Sequence, residues 1–448
     1  MGQPRLIFVN RFFYPNESAT SQLLTDVCCT LADEACDVRV IASDRGDPGQ
    51  LRLARSEVVK SVKVRRVWST QLGTSSLLGR AIDYLSFYPG AFVELLRCAR
   101  RGDVIVVKTD PPMFLVLALL AATIRRAKLI VWLQDLYPEV AMELGVRGLR
   151  GPLGSGLIRL RNMVLRRADA NVVIGVRMCD RLVAAGVEPS KIHLLPNWSD
   201  DAIEPLHSHD SRSRKDWGIK DDVFVFGYSG NLGRAHEAET LLGAARLLKH
   251  RQDICFLFVG SGHESHFLKR AITEAGLENF VFQPHQPRGQ LSHALAASDA
   301  HWLSLRPELE GLIVPSKFYG IASAGRPVVA IVAKDGEIAR AINDLECGYV
   351  VEPGDSVALA GVIAELADDR MHGKKLGQRA RAGSDEKFAK GLALKRWSWI
   401  IRKVMAPPNE EQIVAGVSHD TGDQAIERLL GDLSEIPAED ARQIKRTA

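Results

Sequence analysis

The feature that most limits the fold of this chain is the regular alternation of short apolar runs with helical patterns. The stretches between the runs carry apolar residues at helical spacing, as Leu23, Leu24, Val27 and Leu31 do. Near-continuous apolar strands separated by helices predict a parallel sheet with helices on both faces. In the first half of the chain, strands are predicted at residues 6–9, 38–42, 62–67, 103–108, 129–133 and 170–174.

The same pattern restarts after a polar linker at residues 200–215, which predicts a second α/β domain. At 448 residues, the chain is also longer than one hydrophobic core usually supports. We therefore expect domains at residues 1–198 and 199–387, a helix at 388–405, and an acidic, mobile tail at 406–448. The strands predicted for the second domain lie at 223–228, 254–259, 281–282, 301–305 and 328–332.

Charge is distributed unevenly along the chain. The formal net charge is +4, and residues 407–448 hold nine acidic and four basic side chains, which leaves +9 on the rest. A basic body favours anionic partners, among which phosphates, nucleic acid and lipid surfaces are the alternatives.

The chain has no predicted membrane span and no signal-peptide core. Its longest apolar run, residues 113–124, has 12 residues and is too short to cross a bilayer. The seven cysteines show neither metal-ligand spacing nor a disulfide framework. We therefore expect a cytoplasmic protein.

Six arginines and no acidic residue lie between Glu143 and Asp169. Residues 157–168 form a basic amphipathic helix pattern, which suits contact with anionic lipid headgroups. A solvated helix face is the more common explanation of such a pattern. Peripheral attachment to the inner face of the plasma membrane is thus a hypothesis that rests on Arg147, Arg150, Arg159, Arg161, Arg166 and Arg167.

Polar loops follow three of the strands predicted for the first domain. The first loop contains Asn16, Ser18 and Thr20, the second Asp110, and the third Asp135. Because ligands of parallel sheets bind outside the carboxyl ends of the strands, these loops predict one wall of a cleft. Each loop alone is also explained by a turn with solvated polar groups.

The segment at residues 305–330 combines acids, a cation and the start of a helix. Glu308 and Glu310 precede Ser316 and Lys317, and a short apolar helix pattern follows at 318–323. A lysine there can neutralise a diphosphate as charge develops on it, and the acids can accept hydrogen bonds from sugar hydroxyls. An ordinary loop–helix–strand unit is the alternative.

Two glycine turns follow strands of the second domain, and a third loop follows the strand at 328–332. Glycine lets the backbone approach a ligand closely, and a helix that starts after the turn offers free N–H groups to a phosphate. Neither turn matches a Walker or dinucleotide-binding motif. The candidate donor-binding residues are Gly230, Asn231, Gly233, Arg234 and His236 in the first turn, Gly260 in the second, and Gly336 and Glu337 in the third loop, with Arg234 and His236 adding positive charge.

Taken in order, these stretches resemble glycosyltransferase family 4, in the branch that serves bacterial surface-polysaccharide synthesis. The resemblance covers residues 5 to about 405. It implies a GT-B fold, in which two Rossmann-like domains face each other across a cleft and the last helix crosses back onto the first domain. The matching stretches read FFYPNESATSQLL, KTDPP, WLQDLYPEVAMELG, LLPNWSD, FGYSGNLGRAHEAETLL, FLFVGSG and VPSKFYGIASAGRPVVA.

The resemblance implies roles for individual residues. Arg234 and Lys317 would contact the diphosphate of the donor, and Glu310 would contact the donor sugar. Ser316 would lie beside them, Asp135 would act in the first domain, and the acceptor would lie mainly on that side.

The chain departs from the family pattern at three places. The family's second glutamate, which holds the donor ribose, is replaced by Phe318 or Gly320, depending on the alignment. Many relatives carry histidine at the position of Gln134, and the usual Gly-Gly of the first loop is replaced by residues 18–20.

The predicted activity is metal-independent transfer of a hexosyl or N-acetylhexosaminyl group, with retention of configuration, from a UDP- or GDP-sugar to a lipid-linked or saccharide acceptor. No cofactor and no nucleic-acid partner are predicted. Two alternatives stay open: a nucleotide-sugar epimerase of the same fold, and a non-catalytic carbohydrate or membrane-surface protein on a decayed transferase scaffold.

Overall fold

The structure is a computed structural model. It describes residues 4–46, 52–73, 77–146 and 148–406. Arg147 and the predicted acidic tail beyond residue 406 lie outside the described residues.

The first half forms an eight-stranded sheet flanked by helices. Its elements are β1 (Arg5–Val9), α1 (Ala19–Asp33), β2 (Asp37–Ser43), β3 (Ser56–Val59), β4 (Val62–Val67), α2 (Leu77–Cys98), β5 (Val104–Lys108), α3 (Phe114–Arg125), β6 (Lys128–Trp132), α4 (Glu139–Glu143), α5 (Pro152–Arg167), β7 (Ala170–Val173), α6 (Val176–Ala184) and β8 (Ile192–Leu194). The strand order is β3-β4-β2-β1-β5-β6-β7-β8. All six predicted strands of this half are present.

One edge of this sheet differs from the prediction of a wholly parallel arrangement. The unpredicted β3 pairs antiparallel with β4. A two-residue turn joins them, with positive φ values of 44° at Lys60 and 67° at Ser61. Such a turn directs the chain straight back, so no crossover helix is needed.

The second half forms a six-stranded parallel sheet. Its elements are α7 (Arg212–Asp216), β9 (Phe224–Asn231), α8 (Glu239–Leu247), β10 (Ile254–Ser261), α9 (His263–Glu274), β11 (Phe280–Gln283), α10 (Leu291–Ala296), β12 (Ala300–Ser304), α11 (Lys317–Ser323), β13 (Val328–Ile331), α12 (Glu337–Leu345), β14 (Gly348–Val351), α13 (Ser356–Asp368) and α14 (Arg370–Lys387). The strand order is β11-β10-β9-β12-β13-β14.

The last described helix, α15 (Lys390–Met405), packs on the first sheet. The rings of Trp397 and Trp132 are 4.6 Å apart between centroids. At the start of the helix, the Lys390 ammonium is 2.7 Å from the Asp26 carboxylate. The predicted return of this helix to the first sheet is confirmed.

The carboxyl edges of the two sheets face each other. Leu136, in the loop after β6, donates its backbone N–H to the carbonyl of Leu312, in the loop after β12, at 2.9 Å. One contiguous apolar cluster includes Leu136 and Met178 from the first half and Leu309 and Leu312 from the second. Loops that follow strands in both sheets therefore border one cleft.

Candidate active site

Lys317 is the best-positioned cation on the second-domain side of the cleft. Its ammonium donates to Nε2 of His236 at 3.1 Å and lies 5.1 Å from the centroid of the Tyr228 ring. Nδ1 of His236 in turn donates to the carbonyl of Ser304 at 2.6 Å. The histidine therefore fixes the ammonium by accepting one of its hydrogens.

Burial controls the charge of both members of this pair. It lowers the pKa of Lys317 to about 8, so the lysine is charged at neutral pH. Burial and the nearby Lys317 lower the pKa of His236 to about 3, so the imidazole is neutral. The prediction that His236 adds positive charge is wrong, because the ring acts as an acceptor.

Gly230 provides the space in which Lys317 lies. Its φ is +128°, and a β-carbon there would come within 2.9 Å of Cε of Lys317. Gly260 is needed for strand pairing, since a β-carbon there would lie 2.2 Å from the carbonyl oxygen of Gly230. The helix that follows the turn after β9 is α8, which begins at Glu239.

The remaining residues of this turn are accessible from the cleft side of the sheet. Asn231 ends β9 and is exposed, and Gly233 is half-buried. Arg234 is exposed and has no hydrogen bond or ion pair with the described residues. Ser316, directly before α11, is also exposed and makes no side-chain capping bond. Arg234 thus lies two residues before His236, which contacts Lys317, and its guanidinium has no contact with a described residue that a diphosphate would have to replace.

Glu310 is a buried carboxylate that lies against Gly336. One oxygen accepts a long hydrogen bond of 3.4 Å from the Glu337 N–H, and Oε1 has no partner among the described residues. Burial raises the pKa of Glu310 to about 7. A β-carbon at Gly336 would lie 2.3 Å from Oε1, so this glycine makes room for the acid. An unpartnered buried oxygen is suited to a hydroxyl donor.

Glu337 contacts the first domain rather than open space. Its carboxylate accepts from the backbone N–H groups of Val176, at 2.8 Å, and Arg177, at 3.4 Å, at the start of α6. Beside it, Arg177 forms an ion pair with Asp335. The Glu337 side chain is therefore engaged across the cleft and is not free for the donor in this arrangement.

Two acids lie on the first-domain side of the cleft. Asp110 follows β5 and Asp135 follows β6, and both are half-buried. Burial, together with the charge of Asp110, raises the pKa of Asp135 to about 7. Burial also raises the pKa of Asp110. Asp135 is thus poised to accept a proton near neutral pH.

The first loop is organised by its own hydrogen bonds. The side-chain oxygen of Asn16 accepts from the Ser18 N–H at 3.0 Å, and Asn16 is buried. The hydroxyls of Ser18 and Thr20 lie 3.5 Å apart and are half-buried. Asn16 therefore shapes the loop, and Ser18 and Thr20 present its polar surface.

Sequence reasoning missed Lys108, which joins this loop to the acids. Its ammonium donates to the Thr20 carbonyl at 2.9 Å and lies 3.8 Å from the centroid of the Trp132 ring. Burial lowers its pKa to about 7, although Asp110 and Asp135 oppose that shift. In the sequence, Lys108 is the last residue of a buried strand, and no pattern there marks it as a site residue.

Two further polar pairs were missed. Gln134 and Asn197 exchange reciprocal amide hydrogen bonds of 3.0 Å, which tie the loop after β6 to the chain that leaves the first domain. Arg11 pairs with Asp83 at 2.9 Å. Both pairs join residues far apart in sequence, so spacing gave no signal for them.

Two family models match the chain, one in each half. The model for the glycosyl transferase 4-like domain matches residues 20–198, and the model for glycosyl transferases group 1 matches residues 210–383. The first match covers β2 to β8 and the second covers β9 to β14, and together they account for most of the chain. The chain belongs to the family 4 glycosyltransferases and has the GT-B fold.

The chain is also similar to several individual proteins. The probable glycosyltransferase WbjE of Pseudomonas aeruginosa is 27% identical over 317 residues, which are 70% of this chain and 78% of that protein. HepE of Anabaena in complex with UDP-glucose superposes with a TM-score of 0.68 at 18% identity, covering 90% of this chain and 100% of that one. WaaG, a glycosyltransferase involved in lipopolysaccharide biosynthesis, gives a TM-score of 0.63 at 18% identity, covering 88% and 99%.

Proposed function

We propose that this protein transfers a sugar from a UDP-sugar, with retention of anomeric configuration, to a lipid-linked or saccharide acceptor in surface-polysaccharide synthesis. The observation that carries the proposal is the Lys317 ammonium, held by His236 at 3.1 Å beside a turn in which Gly230 makes room for the lysine side chain. HepE was solved with UDP-glucose, which supports a UDP-sugar donor. WaaG acts in lipopolysaccharide biosynthesis, which supports the acceptor class.

In the proposed reaction, Lys317 and Arg234 offset the charge that develops on the leaving diphosphate. Fixed cations in a cleft that excludes water stabilise such charge without reorganisation. Glu310 receives a hydroxyl of the donor sugar through its unpartnered oxygen. Asp135 lies on the acceptor side and holds the attacking hydroxyl, while the leaving phosphate helps to take its proton. Gly230, Asn231, Gly233 and Ser316 border the diphosphate, and Asn16, Ser18, Thr20 and Asp110 border the acceptor.

A panel of UDP- and GDP-sugars tests the donor directly. Binding to the native state raises its melting temperature, by an amount set by ligand concentration and affinity. We expect one or more UDP-sugars to stabilise the wild type and to lose that effect in Lys317→Ala. Stabilisation by GDP-sugars alone would overturn the choice of UDP. Stabilisation by neither class would favour a non-catalytic protein.

We further propose that the protein meets its acceptor at an anionic membrane surface. The residues that contact the membrane differ from the arginines predicted from the sequence. Arg161 is 5% exposed and pairs with Glu139 at 2.6 Å, so it cannot reach a membrane. Arg150 lies 3.7 Å from Glu143. Exposed leucine and isoleucine side chains instead occupy α3 and α5, which pack together, with exposed arginines among them. This lipid-facing surface comprises Leu120, Ile124, Arg125, Arg126, Leu153, Arg159 and Leu160.

The structure contains no helix, within its described ranges, that is long and apolar enough to span a bilayer. Peripheral contact is therefore tested by flotation with vesicles that contain anionic lipid. Leu153→Ser with Arg159→Ser should abolish flotation. The matched control, Leu247→Ser with Arg270→Ser, changes exposed residues on the second domain and should float like the wild type. Equal loss in both variants would contradict the proposed surface.

A further inference from the structure

A second cavity lies away from the interdomain cleft, at the opposite edge of the second sheet. It has a volume of about 740 Å³ and is lined by the segment 205–208, the start of β9, and one face of α14. Phe224 begins β9 and Pro327 directly precedes β13, so the cavity lies at the amino ends of the strands. Lys317 and Arg234 do not line it. Its size is in the range of small-molecule sites.

Arg326 in the wall of this cavity is a half-buried cation that makes no ion pair with a described residue. Its guanidinium donates to the carbonyls of Leu206 and Ala296, the latter at 3.2 Å, while its Nε atom is buried and has no partner in the described part of the chain. Asp299, an acid that also lines the cavity, pairs with Arg214 at 3.2 Å. An anion would stabilise a guanidinium that is partly removed from water and has no carboxylate partner, so this wall favours an anion.

Further basic side chains line the cavity along α14. Arg370 donates to the backbone carbonyls of Asp221 and Asp222, the former at 3.4 Å. Lys374 is exposed and, within the described ranges, has no hydrogen bond or ion pair. Only Arg381 has an ion pair, with Asp385 at 2.8 Å.

The charges of the lining do not cancel. Three lining cations make no ion pair with a described residue: Arg326, Arg370 and Lys374. Among the lining acids, Asp221 alone makes no ion pair with a described residue. The guanidinium groups of the lining offer planar, forked donors that match phosphate oxygens.

We propose that this cavity binds a phosphate-bearing small molecule, at a site separate from that of the sugar donor. The proposal does not depend on the donor or the acceptor of the transferase reaction.

Calorimetric titration of the full chain with inorganic pyrophosphate tests the proposal. The titration is done in the Lys317→Ala, Arg234→Ala background, which removes the two cations assigned to the donor. We expect one class of site to remain. Adding Lys374→Ala and Arg370→Gln should weaken it at least about tenfold, the loss typical of a charge-assisted contact. Lys374→Ala alone changes an exposed side chain that has no partner among the described residues. A loss of binding in this variant therefore cannot be explained by misfolding.

Lys375→Ala is the matched control, because Lys375 is exposed on α14 next to Lys374 but does not line the cavity. It should leave pyrophosphate binding within about twofold, since a screened surface charge contributes little. Equal weakening by Lys375→Ala would mean that pyrophosphate responds only to the general surface charge of α14, and would overturn the proposal. So would absence of pyrophosphate binding in the donor-site background. UDP-sugar binding should survive Lys374→Ala, Arg370→Gln, which separates this test from that of the transferase function.

Discussion

Replacing Lys317 tests whether a partly buried ammonium binds the donor diphosphate. Burial lowers the pKa of Lys317 from 10.5 to about 8. At about 1.36 kcal/mol per pKa unit, keeping this amine charged costs roughly 3 kcal/mol. A diphosphate that pairs with the ammonium recovers energy of this size. Lys317→Ala should therefore lower kcat/KM by roughly a hundredfold, since 1.4 kcal/mol is a factor of ten.

The pH dependence makes this test specific. Above about pH 8 the free enzyme loses the proton of Lys317, so wild-type kcat/KM should fall as pH rises through that value. Lys317→Ala should show no such decline. Lys317→Arg keeps its charge and should also lack the decline, at a lower rate, because Gly230 leaves little space beside the side chain.

The assay is nucleoside diphosphate release measured from pH 6 to about pH 9.5, with Lys375→Ala as the control for loss of an exposed lysine. Full activity of Lys317→Ala would refute the site assignment. A wild-type profile that is flat to pH 9.5 would refute the argument from the buried ammonium.

Four further predictions concern single positions. His236→Leu removes the acceptor for Lys317 and should raise the donor KM about tenfold, whereas His236→Gln can accept from Lys317 and donate to the Ser304 carbonyl and should keep most of the activity. Asp135→Asn should lower kcat and remove the decline of the wild-type rate below about pH 7, measured by initial rates. Glu337→Ala breaks the contact with α6 and should lower the free energy of unfolding by about 1–3 kcal/mol, measured with denaturant. Gly320→Glu should tighten UDP binding about tenfold in calorimetry, because it supplies a carboxylate for the ribose where a β-carbon would meet only Ile203 at 3.6 Å.

Each of these predictions has a contradicting result. Equal loss in both His236 variants would mean that the ring is needed for packing alone. An unchanged acidic side of the profile in Asp135→Asn would assign that titration to another group. Unaltered stability of Glu337→Ala would mean that the contact with α6 contributes nothing, and weaker UDP binding by Gly320→Glu would place the ribose elsewhere.

The architecture was predictable because buried parallel strands must be apolar over most of their length. The runs at residues 103–108 and 129–133, for example, correspond to β5 and β6. The strand β3 was not predictable in the same way, since its side chains alternate between exposed and half-buried. Turn conformation, rather than apolar content, sets its pairing with β4.

The types of residue at the site were predictable from the sequence, but their charge states and hydrogen-bond partners were not. His236 is an acceptor because burial and Lys317 hold it neutral. Glu337 reaches the backbone of α6, 161 residues away from Val176 in sequence. Phe318 is fully buried, which makes Gly320 the position with room for the missing glutamate. These properties depend on packing between distant segments, which a single sequence does not reveal.

The most direct test of the central claim is a transfer assay in which the purified protein, a UDP-sugar and a lipid-linked saccharide are combined and the anomeric protons of donor and product are compared by NMR. The account predicts a product with the anomeric configuration of the donor, released together with UDP, and almost none from Lys317→Ala. Formation of an epimer of the donor sugar without any acceptor would contradict it.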